Sequence, residues 1–415
     1  MKNLTSFRSA ERACTIDNQL RLIFERVVVV SSSETLNMRQ MKSARQLSTH
    51  YICCLLFLLL LLTVHAFAVA INFPKTSLVT GANGYIGRAI VHELLAKYKR
   101  EQLEHEIICL VRPQRVVEEE AYWAREQQSA VAVRVMPFDM VDGGTTLEAA
   151  LATTTRGGIR CVYHVASVFG PTSDHVKTAH KNVKGTEDVV GALQRARNCK
   201  LVLTSSMAAV RGTGQDPLNG KFYTQNDWNT VSQLGANWGA SYQWSKMESE
   251  RRAWILCHDF DIPMVSLCPS FVFGPPKETS GSYSLMLVNQ WIRGESPVQS
   301  RLFVDVRDVA KAHVEAGMRP VAEGNRYLVS TEARIPSQEI AEWIKEVCKR
   351  RKVSDPEKVH FDKDFQGGAI PIGQKELDST VRLEKELSVR LRPVKETIVD
   401  MVTNLLQQTA MPPKV

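Results

Sequence analysis

From position 77 onward the hydrophobic positions follow two alternating periods. Short β-branched and apolar runs at 77–80, 107–111, 131–135, 161–166, 201–205 and 264–268 read as strands. Between them, apolar residues spaced three and four apart at 86–98, 146–151, 176–196 and 242–257 read as helices. Strands that alternate with helices imply right-handed crossovers and a parallel sheet covered on both faces. Past Gly274 the pattern loosens. Helical spacing at 285–293 and 336–349, a strand at 326–330 and a closing helix at 394–407 predict a smaller C-terminal region that covers a substrate. The stretch 303–316 is expected to return to the main domain. The division is therefore a main domain over 75–275 and a mainly covering region over 276–415.

The first strand ends in Val79-Thr-Gly-Ala-Asn-Gly-Tyr-Ile-Gly87, with glycines at Gly81, Gly84 and Gly87, and a helical pattern opens directly behind it. A strand, a glycine turn and a helix in that order present backbone N–H groups and the positive end of a helix dipole, which suit a diphosphate. The glycines allow the tight turn, the close approach of backbone to phosphate and the packing of helix on strand. The fold class read from pattern and turn together is α/β, a Rossmann-type doubly wound parallel sheet. Its ligand is expected at the C-terminal ends of the strands, near the point where strand order reverses.

Composition adds little to this and excludes some alternatives. At 415 residues and 44% hydrophobic, the chain can bury a full core. Half of the +8 net charge lies in residues 1–50, a basic stretch without strong periodicity that is expected to be disordered. The basic run Lys349-Arg350-Arg351-Lys352 has no aromatic interleaving, so it reads as a solvated helix end and no nucleic-acid partner is expected. Nine cysteines show no metal-ligand spacing, which predicts neither a metal nor a structural disulfide.

Residues 51–72 form an apolar run with basic residues before it, interrupted at His65. It fits a cleaved signal with small residues at the cut, after Ala66, Ala68 or Ala70. It also fits a retained membrane anchor, if His65 is tolerated within the span of about 20 residues that a bilayer requires. Only 71–76 separate the run from the first strand, which tilts the reading toward cleavage. Either form routes the domain to the secretory pathway or an endomembrane, and the Ala-Phe-Ala junction also resembles plastid-directing signals.

Several stretches resemble the extended short-chain dehydrogenase/reductase family of the NAD-dependent epimerase/dehydratase type. The likeness is greatest to its dihydroflavonol-reductase, cinnamoyl-CoA-reductase and ketoreductase branch. Besides the glycine turn they are Phe138-Asp139-Met140, His164-Val-Ala-Ser167, Asn182-Val-Lys-Gly-Thr186, Thr204-Ser-Ser206, Tyr242-Gln-Trp-Ser-Lys246, Pro269-Ser-Phe-Val-Phe-Gly-Pro275 and Phe303-Val-Asp-Val-Arg-Asp-Val-Ala310. The resemblance implies an NADP-dependent oxidoreductase that transfers hydride to a ketone or aldehyde, or takes it from the alcohol in reverse. Tyr242 would be the acid, with a Lys246 ammonium favouring phenolate and drawing a pKa near 10 toward working pH. Ser206, chosen over Ser205, would hydrogen-bond the substrate oxygen. Asn182 resembles a helix asparagine that supports a proton relay.

Around the cofactor the resemblance implies Gly81, Asn83, Gly84, Tyr85, Ile86 and Gly87 at the diphosphate. Asp139 and Met140 would flank the adenine. Val165, Ala166 and Thr204 would line the middle, and Tyr242 and Lys246 would reach the nicotinamide half. Pro269, Phe271 and Val272 would wall the nicotinamide. NAD sites carry an acid after the second strand, whereas here Leu110-Val111-Arg112-Pro113 offers Arg112 for a 2′-phosphate, so NADPH is the expected cofactor. The alternatives are a nucleotide-sugar epimerase or dehydratase, a membrane-bound hydroxysteroid dehydrogenase and a non-catalytic NADP-binding protein. A dehydratase would carry an acidic pair after the hydroxyl, where this chain has Met207-Ala208-Ala209.

Overall fold

A computed structural model describes residues 76–410, apart from 103–104, 127–130, 141–142, 153–158, 197–198, 279–280, 353–354 and 365–369. The extension 1–50 and the apolar run 51–72 lie outside the described residues. Among the described residues, no helix is long and apolar enough to cross a membrane.

In chain order the first half comprises β1 (Thr76–Thr80), α1 (Tyr85–Arg100), β2 (Glu106–Val111), α2 (Val116–Glu126), β3 (Ala132–Pro137), α3 (Gly143–Ala152), β4 (Ile159–His164), α4 (His175–Leu193) and β5 (Lys200–Thr204). The second half comprises α5 (Met207–Val210), α6 (Trp238–Asp259), β6 (Met264–Pro269), β7 (Phe271–Phe273), α7 (Tyr283–Arg293), β8 (Phe303–Asp305), α8 (Val306–Met318), β9 (Arg326–Val329), α9 (Ser337–Arg351), α10 (Thr380–Leu387) and α11 (Val394–Ala410). Seven strands form one sheet in the order β3-β2-β1-β4-β5-β6-β9, every neighbouring pair parallel. β7 and β8 form a separate parallel pair. This is the doubly wound α/β fold that pattern and glycine turn predict, with strand order reversing between β1 and β4.

Alternation along each strand sends its side chains to two opposite layers, so both faces of the sheet are buried. Val79, Cys109 and Tyr163 pack with Ile90, Leu94 and Val309 on one face, which places α1 and α8 together there. Leu78, Ile108 and Val162 pack with Val190, Leu193 and Ala253 on the other, beneath α4 and α6. Cys109, Cys161 and Cys268 are free thiols buried in strands. A further core gathers Phe273, Trp291, Phe303, Ile344 and Met401, joining α7, α9 and α11 to the small β7–β8 pair.

Some elements lie outside the sequence expectations. α2 reads VVEEEAYWARE, and its three consecutive glutamates hide a helix held by the burial of Tyr122 and Trp123. α6 begins four residues before Tyr242, because the Asn237 side chain accepts a hydrogen bond from the Ala240 N–H and caps it. α10 buries only Leu383 and Leu387, an apolar contact too sparse for periodicity to show.

Candidate active site

The glycine turn closes on itself. Gly81 adopts φ +64°, and its carbonyl accepts from the Gly84 N–H at 2.9 Å. A Cβ on Gly81 would lie 3.1 Å from the Ala166 Cα, so the turn and the end of β4 are packed backbone to backbone. A Cβ on Gly87 would overlap the Gly81 carbonyl, so this third glycine brings α1 against the turn. No side chain caps α1 and no acid lies in its first turn. The N–H groups of Tyr85, Ile86 and Gly87 therefore lack intrahelical carbonyls and face no carboxylate from their own turn. Asn83 lies in the same turn, partly exposed. The Tyr85 hydroxyl donates to the Gly274 carbonyl at 2.6 Å, which commits that side chain to joining the turn to the covering region.

Thr80 ties the two strands on either side of the reversal. Its Oγ1 accepts from the N–H groups of Val165 and Ala166 at 3.0 and 3.1 Å, leaving its own proton for His164 Nδ1 at 2.9 Å. Burial, aided by the charge of Lys246, lowers the His164 pKa to about 3, so the ring is neutral. Its other nitrogen then carries the proton and donates to Thr186 on α4, 3.3 Å away. Val165 and Ala166 are thereby fixed beside Gly81.

At the end of β2, Arg112 is exposed and has no carboxylate partner among the described residues. Asp139 is partly exposed and stands 4.0 Å from Lys181. Met140 turns inward instead, packing against α4 where Gly185 makes room for it.

The remaining polar groups meet over the ends of β5 and β6. Ser205 is buried and donates to Glu250 Oε2 at 2.6 Å, whereas Ser206 is partly exposed and N-caps the short helix α5 through Ala208. Ser206 also stands close enough to Tyr242 for its hydroxyl to favour the phenolate. Burial pushes the Tyr242 phenol up to about 12, with the Ser206 hydroxyl pulling the other way. Lys246 donates from Nζ to the Thr204 carbonyl at 2.9 Å. Burial lowers its pKa to about 8, against the opposing charge of Glu250. Thr204 turns its hydroxyl toward His313 on α8 and offers only its carbonyl here.

These values correct the expected effect of Lys246 on Tyr242. Four-residue spacing does put both on one face of α6, but the ammonium is held by the Thr204 carbonyl. Desolvation sets the phenol, which stays protonated throughout the neutral range. Asn182 is also more occupied than expected. Its Oδ1 accepts from the Val168 N–H at 2.9 Å, and its Nδ2 donates to the Val168 carbonyl at 3.1 Å and reaches Ser245 Oγ at 3.4 Å. Both ends of the amide clamp the loop after β4, which presents Phe169 with its ring centroid 4.6 Å from that of Tyr242.

Pro269 ends β6 in the buried layer, and Val272 is buried in β7. Phe271 between them is partly exposed and lies 6.1 Å from Phe169, ring to ring. The pattern left several neighbours unassigned. Glu250 lies one helical turn beyond Lys246, so continuing the four-residue spacing would have found it. Phe169, Trp238 and Tyr283 come from three separate loops and helix ends and show no local signal.

Residues 77–329, more than half of the chain, match the family model described as the NAD dependent epimerase/dehydratase family. The chain belongs to this family. It is 29% identical over 259 residues to tetraketide alpha-pyrone reductase 2 of Arabidopsis thaliana, covering 60% of this chain and 75% of that protein. It is 30% identical to cinnamoyl-CoA reductase 1 of the same plant, covering 64% of this chain and 73% of that one. Among solved structures, yeast methylglyoxal/isovaleraldehyde reductase Gre2 complexed with NADPH superposes with a TM-score of 0.67 at 24% identity, over 80% of this chain and 99% of that one. That last likeness is one of fold.

Proposed function

We propose that this family member is an NADPH-dependent reductase that converts a ketone or aldehyde to an alcohol. The observation that carries the reading is Tyr242 beside Ser206, close enough for the hydroxyl to favour the phenolate, with Lys246 one helical turn away. The names of the curated relatives, a pyrone reductase and a cinnamoyl-CoA reductase, support it. They do not favour an epimerase, and Met207-Ala208-Ala209 leaves no acid beside Ser206 for a dehydration.

The turn fits a dinucleotide on its own geometry, because Cβ atoms at Gly81 and Gly87 would fill the cradle from which α1 starts. In this reading the N–H groups of Tyr85, Ile86 and Gly87 hold the diphosphate, and Arg112 pairs with the 2′-phosphate. When bound, the cofactor supplies a hydride. Tyr242 holds its proton at the phenolic oxygen up to about pH 12 and delivers it to the substrate oxygen. Ser206 donates to the same oxygen as charge develops there. Lys246, charged below about pH 8, holds ribose hydroxyls, while Asn182 positions the Phe169 loop against the Tyr242 ring. On sequence alone, residues 51–72 direct the domain into a secretory or endomembrane compartment.

Three outcomes test this reading. Tyr242→Phe keeps NADPH affinity and loses about 10²–10⁴-fold in turnover, and near-normal turnover in the folded variant removes Tyr242 from the mechanism. Arg112→Asp weakens NADPH at least about tenfold while sparing NADH, in line with about 1.5–3 kcal/mol per hydrogen bond to a charged group. A wild type that prefers NADH contradicts the cofactor assignment. For reduction, kcat/KM falls as pH rises through about 8, because Lys246 then loses its charge while Tyr242 keeps its proton. A profile flat to pH 10 contradicts the role given to Lys246.

A further inference from the structure

Beside β8 stands a half-buried cation that no carboxylate among the described residues neutralises. Arg301 precedes β8, and its guanidinium lies 4.9 Å over the Phe271 ring. Its Nη2 donates to Gln299 Oε1 at 2.6 Å, while its Nε is buried without a partner. Among the described residues, no carboxylate pairs with it.

Ser300 donates to the Ile335 carbonyl at 2.6 Å, which brings the segment of Arg334 beside that of Arg301. Arg334 forks Glu376 through Nε at 2.8 Å and Nη2 at 3.0 Å, and Arg211 approaches the same carboxylate at 3.1 Å. Burial lowers the pKa of both Arg301 and Arg211, and the positive charge of Arg334 lowers each further. Among the described residues, Arg334 and Arg211 share the one carboxylate of Glu376, and Arg301 has none within ion-pair distance. A buried cation without a counterion is costly, and an incoming anion relieves that cost.

Both flanks of the cluster lead to the reacting groups. Arg211 C-caps the four-residue helix α5, whose N-cap is Ser206. At about 1.5 Å per residue, that helix is only about 6 Å long. On the other side, the Phe271 ring under Arg301 lies 6.1 Å from Phe169, which packs on Tyr242. Phe169 also lies 5.3 Å from Tyr283 and 6.2 Å from Trp238, and it is 41% exposed. Aromatic faces thus cover the approach to Tyr242, and an unneutralised guanidinium stands at their far edge.

We infer that this enzyme takes a carbonyl substrate with a flat apolar body and a separate anionic group, the anion being held by Arg301 with Arg334 beside it. The inference rests on the reductase reading for the position of the carbonyl. The anion subsite itself is set by Arg301, with Arg334 on the neighbouring segment. Arg301 is the specificity-determining residue, because it alone of the three has no carboxylate.

The test compares 4-formylbenzoate with its methyl ester, which differ in the charge far from the aldehyde. Calorimetry on the full chain should show the acid binding at least about tenfold more tightly than the ester. Arg301→Gln should abolish that preference without changing NADPH affinity, and Arg301→Lys should restore part of it with an unchanged melting temperature. Equal binding of acid and ester, no binding of either at millimolar concentration, or a preference that survives in Arg301→Gln overturns the inference. A loss of NADPH affinity in Arg301→Gln also overturns it, by assigning the arginine to the cofactor. Preferential binding of the acid with no NADPH oxidation keeps the anion subsite and removes the reductase reading.

Discussion

A carboxylate with no exposed surface holds the working edge of this protein together. Glu250 accepts from Arg326 Nε at 2.7 Å and Nη2 at 3.0 Å, from Ser205 at 2.6 Å and from Ser266 at 2.7 Å. Burial raises its pKa, but the Arg326 charge and these hydrogen bonds outweigh burial and leave it below the usual carboxylate range. Arg326 extends the same network to the carbonyls of Gln225 and Asp227 and lies 4.0 Å over the Trp228 ring. One ion pair therefore fixes α6, the end of β5, the middle of β6, the start of β9 and the loop beyond α5. Removing one partner of such a buried pair typically costs about 3–5 kcal/mol, because the other charge remains uncompensated.

The chemistry inherits its geometry from that pair. With Ser205 drawn down to Glu250, the next residue, Ser206, is left at the edge to meet Tyr242. Glu250 also lies one turn below Lys246 on the same face of α6, where its charge opposes the loss of the lysine proton. On the cofactor side the equivalent fixed point is Thr80, whose single oxygen takes two backbone N–H groups from the end of β4. Thr80 and Ser205 stand at strand C-termini, where a parallel sheet concentrates its ligand contacts.

The parallel sheet, the glycine turn and the Tyr242–Lys246 face were legible in the sequence, because each is written locally, in periodicity or fixed spacing. The choice of Ser206 over Ser205 agrees with the burial of Ser205. What escaped depends on contacts between distant segments. The desolvation that raises the Tyr242 phenol, the Val168 clamp that occupies Asn182 and the inward turn of Met140 are tertiary effects with no local signature. So are the pairing of Glu250 with Arg326, 76 positions later, and the lack of a carboxylate beside Arg301 among the described residues. α2 escaped because glutamates mask a helix anchored by only a few buried residues.

The central claim is that Tyr242 gives a proton to an oxygen whose carbon receives hydride from NADPH and leaves as a carbinol. The most direct measurement supplies NADPH deuterated at the transferred C4 position, with an aromatic aldehyde as substrate, and follows the label by mass spectrometry and the rate by absorbance. The account predicts one deuterium on the carbinol carbon, stoichiometric NADP⁺ and a slower rate with the labelled cofactor. Substrate returned unreduced, or a label that stays with the protein-bound cofactor as in an epimerase cycle, would contradict it.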